Sequence, residues 1–242
     1  MMTEKMNSDA IKQIDHIAII LDGNRRFAKA QNKKPWQGHT AGADKVEEFL
    51  NWCKELGIKE TTPYMLSTEN LNRNPEELKH LFNLFRKFFK KFKDSKEIHE
   101  NKVKIKFIGD LSLIPSDIKQ LAEQIQENTK DYDNYKLNFC FAYGGRLEIV
   151  NAFNKLSEEK AKNNKGNQSD ITEQDITNAL WLKSEPQFII RTGGHNRTSN
   201  FLPWQSVYSE WIFLDKLWPE FTKQDLIQCI EKFNSTQRNF GK

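Results

Sequence analysis

Three features of the sequence predict an α/β fold, a single domain with a mostly parallel central sheet flanked by helices. Ile17–Leu21 is an unbroken apolar run, as a strand buried on both faces should be. Strand-like runs and helix-like spacings then alternate along almost the whole chain, the pattern of strands joined by crossover helices. The length, 242 residues, suits one such domain and buries a core without disulfide or metal staples.

Residues 1–14 read as a polar N-terminal tail and residues 15–242 as the domain. The first strand is entered through His16 and ended by Asp22-Gly23-Asn24. Val46, Phe49, Leu50, Cys53 and Leu56 follow at helical spacing, with Gly57 as C-cap. Thr61–Leu66 fits the next strand, although Pro63 removes a ladder donor. Asn74-Pro75-Glu76 opens a long helix carrying Leu78, Leu81, Phe82, Phe85, Phe88, Phe89 and Phe92 on its apolar side. Further strands fit Val103–Ile108, Leu137–Ala142, Phe188–Arg191 and Trp211–Leu214. Further helices fit Ser116–Asn128, Leu147–Ser157, Thr172–Trp181 and Lys223–Asn234. Glu158–Asp170, hydrophilic and poor in aromatics, reads as a surface loop within the domain.

Composition narrows the function classes. Aromatic residues at 12% supply core material that a disordered chain lacks. Lys plus Arg number 37 against 33 Asp plus Glu, a net +4, too small an excess to argue for a nucleic-acid partner. Cys53, Cys140 and Cys229 are widely spaced and form no CxxC pair, which reads as buried thiols in a reducing compartment. The start of the chain is not a signal peptide and no 18-residue apolar run occurs, so a cytoplasmic location is expected.

Parallel sheets place ligands outside the carboxyl ends of their strands, which singles out three polar segments. In Asp22-Gly23-Asn24-Arg25-Arg26, Gly23 allows close approach, the following helix start offers N–H groups, and two arginines suit a phosphate. Asp22 beside such a cradle makes sense with Mg²⁺ between carboxylate and phosphate. The alternative is a turn with two solvated arginines. Arg191-Thr192-Gly193-Gly194-His195-Asn196-Arg197-Thr198-Ser199-Asn200 offers a second cradle, a Gly-Gly turn between arginines and hydroxyls. Glu210, eleven residues after Ser199, either completes a metal site with Asp22 or is a solvated charge. Ser67-Thr68-Glu69-Asn70, with Arg73 behind it, orients a substrate or caps the next helix. The phenylalanine stripe of that helix is core or the wall of a tunnel for a hydrocarbon. Its lysines are a solvated face or graze an anionic membrane.

Five collinear blocks carry a resemblance: HIAIILDGNRRFA, GHTAGADKVEEFLNWCKELGI, STENLNR, AYGGRLEIVNA and RTGGHNRTSNFLPWQSVYSEWIFLDKLWPEF. They resemble the cis-prenyltransferases, that is, the undecaprenyl diphosphate synthases and their archaeal and eukaryotic relatives. The Leu-Pro-Trp-Gln and Ala-Tyr-Gly-Gly-Arg-Leu forms point to the archaeal, tritrans,polycis branch. The resemblance implies a transferase that condenses isopentenyl diphosphate repeatedly onto an allylic diphosphate, farnesyl or geranylgeranyl diphosphate, making a long polyprenyl diphosphate for a lipid carrier. It implies that residues 15–242 are the catalytic domain. Asp22 would be the central catalytic residue and a Mg²⁺ ligand, with Glu210 as the second. Gly23, Asn24, Arg25, Arg26 and His39 would cradle the allylic diphosphate, with Phe27 as an aromatic wall. Arg191, Arg197, Thr198 and Ser199 would hold isopentenyl diphosphate, supported by Ser67, Thr68, Glu69, Leu71 and Arg73. Asn70 stands at the proton-acceptor position, where a neutral amide orients rather than accepts.

The resemblance also implies a homodimer and peripheral membrane contact for product release. Departures from the family pattern are Pro35 for an arginine, leaving Lys33 or Lys34 to replace it, Leu71 for an aromatic, His195 for a glutamate, and Asn239 for a C-terminal arginine that reaches across the dimer. The competing reading is a non-catalytic partner subunit; such members lose residues that this chain keeps at Asp22, Arg191, Arg197 and Ser199.

Overall fold

Each apolar run of the sequence forms one strand of a single sheet, and the helical spacings form the layers that cover it. The computed structural model describes residues 14–162 and 170–236. Strands β1 (His16–Ile20), β2 (Glu60–Ser67), β3 (Val103–Ile108), β4 (Tyr135–Tyr143), β5 (Phe188–Arg191) and β6 (Glu210–Phe213) lie in the order β3-β4-β2-β1-β5-β6. Every pairing is parallel, so the mostly parallel sheet expected is parallel throughout. β1 lies inside the sheet and is buried along its length, as its continuous apolar run requires. The chain leaves β1 towards β2 on one side and later returns to β5 on the other. That reversal opens a crevice outside the carboxyl ends of these strands.

Helices α1 (Asn24–Ala30), α2 (Pro35–Glu55), α3 (Pro75–Lys93), α4 (Lys96–Glu100), α5 (Ser116–Thr129), α6 (Gly145–Lys162), α7 (Glu173–Ala179) and α8 (Lys223–Ser235) join the strands, with short 3-10 turns at Thr68–Asn72, Leu111–Leu113 and Trp218–Glu220. The alternation of strand residues makes two cores. Ile17 and Ile19 face the larger one, with Phe49 of α2, Phe85 and Phe89 of α3, Ile118 of α5 and Phe233 of α8. Ala18 and Ile20 face the smaller one, with Tyr64, Tyr143, Leu182, Phe201 and Leu202. Both faces of the sheet are therefore dry, which is the main source of stability in such a layered domain.

Pro63 lies inside the sheet rather than at an edge. The ladder to β1 runs through it as Ile19↔Pro63, while the register with β4 shifts between Tyr64 and Ser67. Pro63 itself lies in regular register, between Thr61↔Leu137 and Tyr64↔Cys140, and the shift begins only after it. The expected loop Glu158–Asp170 begins too early, because α6 continues through Lys162. Of the expected tail, residues 1–13 lie outside the described residues, and Ile14 is already buried against the larger core. The C-terminal departure at Asn239 also lies outside them. Among the described residues no helix is long and apolar enough to cross a membrane.

Candidate active site

The carboxyl end of β1 delivers Asp22 to the crevice and its neighbours fix it there. The Asp22 N–H donates to Ile20 O at 3.0 Å, and its carbonyl accepts from Thr192 Oγ1 at 2.8 Å and Trp218 N at 3.0 Å. Gly23 follows at φ 116°, a left-handed conformation that costs glycine little. It turns the chain into α1. α1 lies close against α2 because position 42 is glycine: a Cβ there would come within 2.2 Å of Asn24 Oδ1. Asn24 Nδ2 donates to Leu21 O at 3.2 Å, and its Oδ1 is buried without a hydrogen-bond partner.

Two arginines grip the Asp22 carboxylate. Arg191 Nη2 donates to Oδ2 at 2.9 Å and Arg26 Nη2 to Oδ1 at 3.3 Å. The Arg191 side chain is only 3% exposed. Its Nη1 donates to Ser199 Oγ at 2.7 Å and to the Arg197 carbonyl, so a buried guanidinium folds the Arg197–Ser199 turn back onto the sheet. The Gly-Gly turn is not itself an anion cradle. Gly193 N donates to Lys216 O and Gly194 N to Leu214 O, each at 2.8 Å, which leaves neither N–H for a phosphate. Gly193 instead makes room for Arg26, whose Nη2 would lie 2.6 Å from a Cβ at that position.

A second cationic cluster meets on one carboxylate that sequence reasoning missed. Glu77, in the first turn of α3, places Oε1 3.1 Å from His39 Nε2, 3.1 Å from Arg73 Nη1 and 4.0 Å from Arg25 Nε. Burial would raise the Glu77 pKa, but the His39 contact and the Arg73 and Arg25 charges outweigh it and hold the carboxyl below its usual range. Burial lowers the His39 pKa, and Arg73 adds to the effect, against the opposing pull of Glu77. No helical spacing announced it: Arg73 precedes the Asn74 cap with extended backbone, so the two are not neighbours on one helix.

The Ser67-Thr68-Glu69-Asn70 segment is both a cap and a wall of the site. Ser67 Oγ accepts from Asn70 N at 3.2 Å, and Asn70 Oδ1 accepts from Ser67 N at 3.4 Å. The amide oxygen of Asn70 is thus engaged with backbone. Glu69 accepts from Asn200 Nδ2 at 3.0 Å, the last residue of the expected second cradle.

These groups open on two adjoining cavities. One, of about 570 Å³, has Asp22, His39, Ser67, Glu69, Asn70, Arg73, Arg191, Arg197 and Ser199 at its rim and Val46, Leu66, Leu81, Phe85 and Trp218 below. The other, of about 580 Å³, shares Asp22, Asn24, His39, Arg73 and Arg197 and adds Gly23, Arg25, Arg26, Lys29 and Lys33. Lys33 rather than Lys34 faces this second cavity beside Pro35; Lys34 lies over the Trp36 ring at 4.8 Å. Phe27, Thr68, Leu71 and Thr198 line neither cavity. Leu71 packs on the larger core, and the Thr198 carbonyl accepts from Phe201 N at 3.1 Å, so both serve the scaffold.

Glu210 does not join Asp22 within one chain. It begins β6, paired with Phe188 at the amino end of β5, whereas Arg191 pairs with Phe213 at the carboxyl end. Three residues of strand, roughly 10 Å, separate those levels. The two-carboxylate metal site is therefore absent from a single chain, because a parallel strand carries its first residue to the wrong rim. Among the described residues no three His, Cys, Asp or Glu side chains gather as a metal site. Asp22 alone, among arginines that suit phosphate, still fits Mg²⁺, which keeps waters and takes one or two carboxylates plus phosphate oxygens.

The phenylalanine stripe of α3 is both core and wall. Phe85 lines the first of the two rim cavities, and Phe92 lines a separate cavity of about 170 Å³ with Cys53, Ile98 and Leu137 near the amino ends of the strands. Phe88 and Phe89 fill the space between them, packed on Phe139 at 5.9 and 6.1 Å.

Comparison with known proteins agrees with this architecture. The family described as "Putative undecaprenyl diphosphate synthase" matches residues 20–241. A tritrans,polycis-undecaprenyl-diphosphate synthase (geranylgeranyl-diphosphate specific) of Methanopyrus kandleri is 42% identical over 246 residues, spanning 100% of this chain and 90% of its own. Its namesake in Pyrococcus abyssi is 41% identical over 243 residues, spanning 100% and 91%. The crystal structure of lavandulyl diphosphate synthase from Lavandula x intermedia in complex with dimethylallyl diphosphate superposes with TM-score 0.86 at 28% identity, covering 97% of this chain and 100% of that one. A probable undecaprenyl diphosphate synthase from Campylobacter jejuni gives TM-score 0.79 at 28% identity, covering 96% and 100%. With a parallel six-stranded sheet, a family match over nearly its whole length and relatives at about 40% identity, the chain belongs to the undecaprenyl diphosphate synthase family and is a prenyltransferase.

Proposed function

We propose that the protein is a Mg²⁺-dependent cis-prenyltransferase that adds isopentenyl diphosphate repeatedly to geranylgeranyl diphosphate, giving a long polycis prenyl diphosphate. The observation that carries this reading is the pair of cationic clusters on either side of Asp22, opening on a shared crevice with an apolar floor. Two diphosphate heads and a growing hydrocarbon need that combination. The geranylgeranyl starter follows the printed names of the archaeal relatives.

In this reading Arg25, Arg26, His39 and Lys33 bind the allylic diphosphate, and Arg191, Arg197 and Ser199 bind isopentenyl diphosphate. The allylic C–O bond breaks with its electron pair leaving on diphosphate. The double bond of isopentenyl diphosphate then attacks the allylic carbon, and a proton is lost from the adjacent carbon. Cationic side chains fixed before reaction stabilise the departing charge without reorganisation. Mg²⁺, when bound, would be held by Asp22 and would neutralise diphosphate charge. Asn70 orients the substrate, and the proton passes to diphosphate or water.

Two further parts of the reading concern partners. The β3 edge is blocked, because Ile105 N donates to Thr129 Oγ1 at 3.1 Å and Phe107 N to Gln126 Oε1 at 2.8 Å. At the other edge, exposed Val207 and Tyr208 lead into β6, and α6, joined to that loop by the Gln205–Glu148 hydrogen bond, exposes Val150 and Phe153. That apolar surface suits a second copy of the chain. Exposed Lys87 and Lys90 of α3 suit transient contact with an anionic membrane that receives the product.

The test incubates the protein with labelled isopentenyl diphosphate and either farnesyl or geranylgeranyl diphosphate, with Mg²⁺ or EDTA. The reading requires a Mg²⁺-dependent product ladder, richest from geranylgeranyl diphosphate. No product from either starter contradicts it, and product only after adding a second polypeptide supports the partner-subunit alternative.

A further inference from the structure

One side chain ties together three segments that are far apart in sequence. Asn200 Nδ2 donates to Glu69 Oε1 at 3.0 Å, its Oδ1 accepts from Arg146 N at 2.9 Å, and its carbonyl accepts from Gly145 N at 2.8 Å. It therefore joins the turns that follow β2, β4 and β5 at the rim of the crevice. The Ala-Tyr-Gly-Gly-Arg segment, which the substrate contacts leave without a role, supplies two of these three partners.

The backbone there is held in an uncommon state. Ser199, Asn200 and Leu202 have φ of 50°, 61° and 47°. Left-handed conformations at non-glycine residues persist only where the surroundings over-determine them, and Asn adopts them more readily than most. Below the turn, Phe201 and Leu202 are fully buried, and Phe201 stacks on Tyr64 at 4.6 Å. Above it, Ser199 Oγ accepts from Arg191. A continuous chain of contacts thus runs from Glu69 through Asn200 and Ser199 to the guanidinium that grips Asp22.

We propose that Asn200 is a positioning residue: its side chain fixes the Arg197–Ser199 turn against the Ser67–Asn70 turn, and so sets where isopentenyl diphosphate lies relative to the allylic carbon. The inference rests on the proposed function and adds to it a residue at the rim of the cavity that acts through the Arg197–Ser199 and Ser67–Asn70 turns. Bond formation demands near-attack geometry, and a displacement of about 1 Å can cost on the order of 10²-fold in rate.

The test reverses the polarity of one hydrogen bond. Asn200→Asp keeps the size, the tolerance for a left-handed backbone and the acceptor for Arg146 N, but sets a carboxylate against Glu69. We expect kcat to fall about 10–100-fold, the KM for geranylgeranyl diphosphate to change less than about twofold, and the melting temperature to stay close to that of the wild type. Glu69→Gln alone keeps an acceptor for Asn200 Nδ2 in its amide oxygen and supplies the background for the double variant. In the double variant Asn200→Asp/Glu69→Gln, the new amide donates to the new carboxylate, and kcat should return to within about threefold of the wild type. Asn200→Gly, which permits the same backbone and deletes the side chain, should lose kcat like Asn200→Asp and guards against a folding failure of that variant.

Wild-type kcat in Asn200→Asp, or a double variant no better than Asn200→Asp, overturns the positioning role while leaving the function intact. A wild type without turnover overturns the function and this inference with it.

Discussion

Arg191 Nη2 lies 2.9 Å from Asp22 Oδ2, yet the Arg191 side chain is 3% exposed and that of Asp22 29%. A dry cation therefore anchors, from beneath the crevice, a carboxylate that still faces solvent. Removing the anchor's partner has a predictable cost. Asp22→Ala leaves a buried guanidinium short of an acceptor, which should destabilise the fold by about 1–3 kcal/mol. The larger losses typical of fully buried pairs do not apply at this exposure. Urea denaturation of Asp22→Ala, Arg191→Met and the double variant should show positive coupling; strictly additive losses would refute the anchor.

The His39–Glu77 pair gives stability a pH dependence whose sign is fixed by the two shifts. His39 titrates below its ordinary value in the fold, so the unfolded chain takes up that proton first as pH falls. Stability is complete above about 6.5 and declines as pH drops towards the folded pKa. Glu77, also lowered, extends the decline below about 4.5. His16, likewise lowered by burial, contributes in the same upper window. His39→Asn should therefore reduce but not abolish the loss of melting temperature between pH 7 and 5. An unchanged slope would mean that His39 is not held neutral by its surroundings.

Two glycine substitutions separate the scaffold from the site. Gly57 has φ 77° with nothing within 4 Å of an added Cβ, so Gly57→Ala should cost about 1 kcal/mol and leave substrate affinity alone. Gly42→Ala drives a methyl into Asn24 and should cost about 1–3 kcal/mol. It should also weaken inorganic diphosphate binding several-fold, because α1 must shift. Equal diphosphate affinity in the two variants would contradict the placement of α1 as part of the cradle.

Product length should respond to the aromatic packing of α3. Phe88 and Phe89 stand between the rim cavity at Phe85 and the cavity at Phe92. The helix advances about 10 Å from Phe85 to Phe92. Truncation to Ala at Phe82, Phe85, Phe88 and Phe89 in turn should lengthen the product in at least one case, although each buried ring costs roughly 3–5 kcal/mol. Identical product ladders from all four would remove α3 as the length determinant.

Elements and site were legible to different degrees for physical reasons. β1 and α3 were plain in the sequence because burial on both faces, or on one helical stripe, writes a period into the residues. Asp22 and Arg191 were legible because they directly follow or end apolar runs whose carboxyl ends must meet. The roles of Asn200, at the end of the expected second cradle, and of Glu77 were not, since they arise from contacts between segments distant in sequence: Asn200 with Glu69 and Arg146, Glu77 with His39, Arg25 and Arg73. Glu210 misled because nearness to a strand says nothing about which end of that strand faces the ligand; only the parallel register Phe188↔Glu210 decides it.

The most direct test of the central claim compares wild type and Asp22→Ala in single turnover with geranylgeranyl diphosphate and labelled isopentenyl diphosphate, alongside calorimetric titration with inorganic diphosphate. The account predicts that product formation falls by about 10²–10³-fold in Asp22→Ala while the arginine clusters still bind diphosphate. Product formation by Asp22→Ala at the wild-type rate would contradict it.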